Sequence, residues 1–92
     1  MRKYEYLYII EPQEEVWEKS IEKIKEHYTQ LGVTLIKEDK MGKRSLAYPI
    51  NKKTDGFYYV TNIEVEDFTS LQAYENELKL DPDILRFIKI RK

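Results

Sequence analysis

The sequence of 92 residues has no cysteine, three glycines, three prolines and a single histidine. Without cysteine the chain has no disulfide framework, no thiol nucleophile and no zinc site built on thiolates. One histidine gives no support to a Ser-His-acid arrangement. The scarcity of glycine and proline leaves little chain for linkers, so we expect one domain spanning residues 1–92.

Long apolar runs and a charge excess are also missing. No window approaches the roughly 18 apolar residues of a membrane span, and the start, Met1-Arg2-Lys3-Tyr4-Glu5, does not resemble a signal peptide. Together with the lack of cysteine, this leads us to expect a cytoplasmic protein. Sixteen basic residues face 17 acidic ones, a formal net charge of -1, which at first sight argues against a nucleic-acid binder.

The first third of the chain reads as a strand followed by a helix. Residues 1–10 alternate, with Tyr4, Tyr6, Tyr8 and Ile10 on one face and Leu7 and Ile9 on the other. Pro12, Glu14 and Glu15 are typical of a helix start, and Gly32 of a helix end. The apolar residues between them recur at spacings of three and four and form one stripe: Trp17, Ile21, Ile24, Tyr28 and Leu31.

The rest of the chain predicts two strands, a helix and a last strand. The second strand covers residues 33 to about 40, is bulged at Met41-Gly42 and continues to Pro49, which limits it to an end or an edge. Turn chemistry at residues 51–56 precedes a third strand at residues 57–65. Asp67 predicts the cap of a second helix, with an inner stripe of Phe68, Leu71, Tyr74 and Leu78. Residues 84–92 are the fourth strand.

This order predicts an α+β, ferredoxin-like split β-α-β fold (βαββαβ), a four-stranded antiparallel sheet with two helices on one face. Its other face is open, although strands one and four carry apolar residues on both of their faces. An uncovered apolar sheet face indicates a protein partner.

The charges are strongly separated along the chain. Residues 1–10, 37–53 and 84–92 hold 12 basic and three acidic residues, a charge of +9, whereas the remainder carries -10. Because the two helices belong to the acidic part, basic charge should collect on the sheet and hairpin. Basic residues interleaved with tyrosine are typical of phosphate and unpaired-base binding.

The most basic segment also contains a distinctive motif. Residues 42–52 read Gly-Lys-Arg-Ser-Leu-Ala-Tyr-Pro-Ile-Asn-Lys. This run resembles the Gly-x-Arg-x-Leu-Ala-Tyr-Pro-Ile-x-Lys signature of the bacterial small-subunit ribosomal protein six family. The opening residues 1–5 and the run Gly56-Phe57-Tyr58 are also similar to that family, so the resemblance covers essentially the whole chain.

The resemblance implies a structural ribosomal protein with no enzymatic activity and no cofactor. Members bind the central domain of small-subunit ribosomal RNA as a heterodimer with small-subunit ribosomal protein eighteen. The RNA-binding residues that it implies, or that basic location adds, are Arg2, Lys3, Tyr4, Arg44, Tyr48, Lys52, Lys53, Arg86, Lys89 and Arg91. The partner protein is expected on Leu7, Ile9, Tyr58 and Val60. Many relatives continue beyond strand four into a tail that reaches the partner, and contacts of such a tail are not carried over.

Two other functions belong to the same topology. An RNA recognition motif stacks bases on strand-three aromatics, which here would require Phe57 and Tyr59 to face solvent. An acylphosphatase-like hydrolase needs a phosphate cradle with an arginine after strand one. Residues 10–14 read Ile-Glu-Pro-Gln-Glu, an acidic loop without arginine that would repel phosphate.

Overall fold

The computed structural model describes residues 2–50 and 52–92, which form two helices and one four-stranded antiparallel sheet. The elements follow the order β1 (Arg2–Ile10), α1 (Glu14–Leu31), β2 (Thr34–Ile50), β3 (Lys53–Val65), α2 (Ser70–Leu80) and β4 (Ile84–Arg91). The strand order across the sheet is β2-β3-β1-β4, so β2 and β4 are the edges. The predicted ferredoxin-like fold is confirmed, including the edge position of the strand that contains Pro49.

Helix α1 forms where the apolar stripe predicts it. Ile21, Ile24 and Tyr28 are buried against the sheet, and Trp17 stacks on Phe57 with ring centroids 4.0 Å apart. Gly32 ends the helix with a φ of 71°, and the amide of Val33 donates to the Tyr28 carbonyl at 2.9 Å. This left-handed end favours glycine because a Cβ is strained there.

Helix α2 begins later than the sequence predicts. Its N-cap position is Thr69, and Asp67 precedes it, accepting hydrogen bonds from the Thr69 amide at 3.0 Å and hydroxyl at 2.6 Å. These bonds lower the pKa of Asp67. The prediction that Phe68 lies on the inner stripe is wrong, because Phe68 precedes the first turn of the helix and is exposed. The Arg2 guanidinium lies 4.0 Å from the centroid of the Phe68 ring.

The β2–β3 hairpin is longer than predicted. Ile50 pairs with Lys53 and Ser45 with Asp55, so residues 53–56 belong to β3 and not to a turn. Asn51 of the predicted turn, and Met1 of the predicted first strand, lie outside the described residues. The predicted bulge at Met41-Gly42 is confirmed by a register shift there and by the φ of 94° at Gly42.

The core lies between the helices and one face of the sheet. The alternation of β1 sends Tyr4, Tyr6, Tyr8 and Ile10 into it, where each is at most 5% exposed. The Tyr8 hydroxyl lies 2.6 Å from that of Tyr28 and 2.7 Å from that of Tyr74, and Tyr28 continues to the Thr61 hydroxyl at 2.8 Å. This chain of hydroxyls joins both helices to both central strands.

Candidate nucleic-acid interface on the open sheet face

The sheet face without helices carries a row of apolar residues. Leu7 pairs with Val60 on one side and with Ile88 on the other, so the three side chains lie side by side across β3, β1 and β4. Leu7 and Val60 are half-buried, and Ile88 and Ile90 are exposed at 40% and 46%. The sequence patterns left Ile88 and Ile90 unassigned, although their two-residue spacing in β4 is the signal that identifies them.

Beyond β1 the hairpin continues as what we call the hairpin arm, residues 44–50 and 52–56. β1 ends at Ile10, which pairs with Phe57, and Phe57 pairs in turn with Lys43. The residues of the hairpin arm therefore extend past the end of β1 and have no neighbour in that strand. The hairpin arm includes most of the signature motif. Its conformation therefore determines where the residues of that motif lie.

The hairpin arm folds over the open face. The Arg86 guanidinium on β4 donates a hydrogen bond to the Tyr48 hydroxyl on β2. These strands are opposite edges, about three spacings of 4.8 Å apart in a flat sheet. Such a contact requires the hairpin arm to cross the ends of β3 and β1, and it joins two predicted RNA-binding residues that are 38 positions apart in sequence.

A small apolar cluster holds the hairpin arm in this position. A Cβ on Gly56 would come 2.5 Å from Cγ2 of Ile9 and 3.4 Å from Cδ2 of Leu46, so only glycine fits there. Ile9 is therefore 7% exposed, although it lies on the face without helices. The expectation that Ile9 is available to a partner protein is corrected, because Leu46 and Gly56 of the same chain already cover it.

The predicted role of Tyr4 in RNA binding is also corrected. It is 5% exposed and points toward the helices, because it shares the strand face of Tyr6 and Tyr8. Its ring lies in the core, with the Lys89 ammonium 5.5 Å from its centroid. The alternation of β1 leaves Lys3 on the open face in its place.

Most of the other predicted RNA-binding cations fall into two groups, while the Arg2 guanidinium lies 4.0 Å from the centroid of the Phe68 ring. Lys53 contacts Glu11 at 3.3 Å, and Lys89 contacts Glu75 at 2.8 Å. Lys3, Arg44, Lys52, Arg86 and Arg91 are exposed, and no carboxylate of the described chain lies within 4.0 Å of them. The second group has the charge that is free to meet a phosphate.

These cations do not all share one surface. Lys3, Arg44 and Arg86 pair with Glu64, Gly56 and Ile9, which places them on the open face. Lys89 and Arg91 pair with Tyr6 and Tyr4 and therefore point to the helix side of the β4 edge. The separation of charge along the sequence could not predict which cations share a face, because the face of each cation depends on strand register.

Phe57 and Tyr59 lie in the core, at 5% and 0% exposure. The base-stacking surface of an RNA recognition motif is therefore not formed by these two rings.

Within residues 2–50 and 52–92, no three acidic or histidine side chains are grouped so that they could hold a metal ion. The histidine, His27, instead bridges the helices, with Nε2 3.0 Å from the Glu77 carboxylate.

Neither helix described for this chain is long and apolar enough to cross a bilayer.

Comparison with known proteins identifies one family, because the family model described as Ribosomal protein S6 matches residues 3–91. The chain is 40% identical to the small ribosomal subunit protein bS6 of Fusobacterium nucleatum, over all of this chain and 99% of that protein.

Solved structures agree with this match. The crystal structure of 30S ribosomal protein S6 from Thermotoga maritima superposes with a TM-score of 0.90 at 33% identity, covering 99% of this chain and 87% of that one. The C-terminal domain of the MgtC protein from Mycobacterium tuberculosis has a TM-score of 0.69 at 14% identity, covering 100% and 88% of the two chains. At that identity the second likeness concerns the fold alone.

Proposed function

Because this chain belongs to the ribosomal protein S6 family, a family of structural ribosomal proteins and not of enzymes, we propose that it is a structural constituent of the small ribosomal subunit in the cytoplasm. It acts as a single domain that binds the central domain of small-subunit ribosomal RNA. It does so as a heterodimer with small-subunit ribosomal protein eighteen.

The observation that carries RNA binding is the grouping of unpaired cations around the hairpin arm. Arg44 and Lys52 lie on the hairpin arm, and the contact of Arg86 with Tyr48 brings β4 to it. All three cations are exposed. Lysine and arginine contacts to phosphates position a protein on RNA, while the shape of the RNA supplies selectivity.

The remaining proposed RNA contacts contribute less or lie elsewhere. Lys53 and Lys89 would have to exchange the carboxylates of Glu11 and Glu75 for phosphate. Arg2 and Lys3 lie at the other end of β1, and Arg91 lies at the β4 edge. The proposed RNA-binding set is therefore Arg44, Tyr48, Lys52 and Arg86 first, followed by Arg2, Lys3, Lys53, Lys89 and Arg91.

The proposed surface for the partner protein is the apolar row of the open face. It consists of Leu7, Tyr58, Val60, Ile88 and Ile90, of which the last two are the most exposed. Covering such a row removes apolar area from water, which favours association at about 25 cal/mol per Å² before the costs of binding. Basic residues of the hairpin arm border this row and remain available for RNA.

The test measures binding of the purified chain to a central-domain RNA fragment, with and without the partner protein. We expect weak binding by the chain alone and much tighter binding by the pair, because the RNA surface of the heterodimer is larger. Ile88→Lys should abolish the gain from the partner but leave the weak binding of the chain alone. Lys19→Glu, a charge reversal on exposed α1, is the control. Strong binding by the chain alone, or no gain from the partner, would contradict the heterodimer.

A further inference from the structure

The contact between Tyr48 and Arg86 joins an aromatic ring to a cation across the whole width of the sheet. The guanidinium has five N–H donors in a rigid plane, and Tyr48 accepts from one of its terminal nitrogens. A hydroxyl acceptor is neutral, so the contact orients Arg86 without cancelling its charge. The remaining donors match the oxygens of a phosphate group.

The Tyr48 ring is itself open to a ligand. Tyr48 is 57% exposed, although its hydroxyl is held by Arg86. A ring that is anchored at its hydroxyl keeps its orientation while its surface faces solvent. Unpaired bases stack on tyrosine rings of this kind in many single-stranded RNA complexes.

The position of the pair depends on the folded hairpin arm. Leu46, two residues before Tyr48, packs over Gly56 and Ile9. Arg44, two residues before Leu46, adds a further exposed cation on the same face. The ring, the guanidinium and this additional charge therefore meet at one end of the open face.

We propose that Tyr48 and Arg86 together form a binding site for one unpaired nucleotide. The base stacks on the Tyr48 ring, and the adjoining phosphate binds Arg86, which the Tyr48 hydroxyl positions. This site rests on the proposed RNA-binding function and specifies what the RNA must present there, namely an unstacked base and not a paired one.

The experiment compares two probes, a fluorescently labelled 12-nucleotide oligouridylate and an abasic sugar-phosphate strand of the same length. Tyr48→Ala should weaken oligouridylate binding about tenfold, in line with the loss of one stacked base, and should change abasic-strand binding less. Tyr48→Phe keeps the ring and should weaken both probes equally and modestly. In the Arg86→Gln background Tyr48→Phe should have no further effect, because the hydroxyl acts through Arg86.

Leu80→Ala, which shortens an exposed apolar side chain of α2 outside both proposed binding surfaces, is the control, and thermal unfolding verifies that every variant is folded. Equal losses with both probes in Tyr48→Ala, additive effects of Tyr48→Phe and Arg86→Gln, or no oligouridylate binding by the unaltered chain would each refute the site. If the site behaves as expected but the central-domain fragment does not bind, the proposed function fails and the site stands. If the fragment binds and the Tyr48 variants match the unaltered chain, only the site fails.

Discussion

The two faces of the sheet differ most clearly at Leu7 and Tyr8, neighbours in β1. Tyr8 is fully buried beneath the helices, with its hydroxyl bonded to Tyr28 and Tyr74. Leu7 is half-buried in a row that no helix covers. The even-numbered residues of β1 from Tyr4 to Ile10 are thus buried beneath the helices, whereas of its odd-numbered apolar residues Ile9 is covered by the hairpin arm and Leu7 is only half-buried.

The covered face combines apolar packing with complete hydrogen bonding. Among the described residues, no buried side-chain nitrogen or oxygen lacks a partner, even though five of the largest buried side chains are tyrosines. A buried hydroxyl without a partner costs about 1–3 kcal/mol, so this network favours one arrangement of the helices. The open face of the described residues instead exposes cations and isoleucines.

The largest expected effect is alkaline unfolding of the covered face. Burial raises the pKa of Tyr28 to about 12 and also raises the pKa values of Tyr6, Tyr8, Tyr59 and Tyr74 well above their usual value of 10. Since the folded state holds these protons more tightly, the stability they contribute is present below pH 10 and is lost as pH rises toward the folded values. Each tyrosine then removes about 1.4 kcal/mol per pH unit.

Urea unfolding measured by circular dichroism at a series of pH values, together with tyrosinate absorbance, tests this expectation. The buried tyrosines should ionise only as the chain unfolds. Ionisation of all eight tyrosines near pH 10 in a protein that stays folded would contradict the assignment.

The next effect compares the two faces directly. Tyr8→Ala should lower the free energy of unfolding by about 3–5 kcal/mol, as for other large aromatic side chains removed from a core. Leu7→Ala should cost about 1 kcal/mol, because half-buried apolar side chains lose less area. Chemical denaturation of both variants measures the difference, and similar losses would mean that the two faces are equally important for folding.

A smaller effect is expected where the hairpin arm meets the open face. Gly56→Ala places a methyl group against Ile9 and should cost about 1–3 kcal/mol through overpacking. The double variant Gly56→Ala with Ile9→Ala relieves that clash, so its loss should be smaller than the sum of the single losses. Strictly additive losses in denaturation would show that the hairpin arm does not rest on Ile9.

The smallest effect on folding, but a clear one on binding, is expected at the cations of the hairpin arm. Arg44→Glu and Lys52→Glu should each leave the free energy of unfolding within about 0.5 kcal/mol, as is usual for exposed positions. Each should weaken binding to the central-domain fragment and flatten the salt dependence by about one unit or slightly less. Unchanged affinity in both variants would exclude the hairpin arm as the RNA-binding surface.

Much of this structure could be predicted from local patterns. The two-residue period of β1 assigned its two faces, the stripe from Trp17 to Leu31 predicted α1, and Gly32 marked its end. The start of β3 and of α2 could not be predicted, because turn-forming residues such as Thr54 and Asp67 fit either side of a boundary. The start of β3 was decided by its long pairing with β2, and the start of α2 by the hydrogen bonds that Asp67 accepts from Thr69.

The candidate site was predictable in composition but not in arrangement. The signature motif contains Arg44, Tyr48 and Lys52, and charge location added Arg86. Tyr4 was misassigned because a position carried over from the family resemblance says nothing about the face on which its side chain lies. Ile9 was misassigned because its cover, Leu46, comes from 37 residues further along the chain.

By itself the sequence determined the order of elements, the two faces of β1 and the separation of charge, since all three follow from spacing of two, three or four residues and from composition. Only the tertiary structure decided that the hairpin arm crosses the open face, that Ile9 is covered and that Tyr48 meets Arg86. Those contacts join residues far apart in the chain, and they depend on strand order, register and sheet twist, which no local spacing encodes.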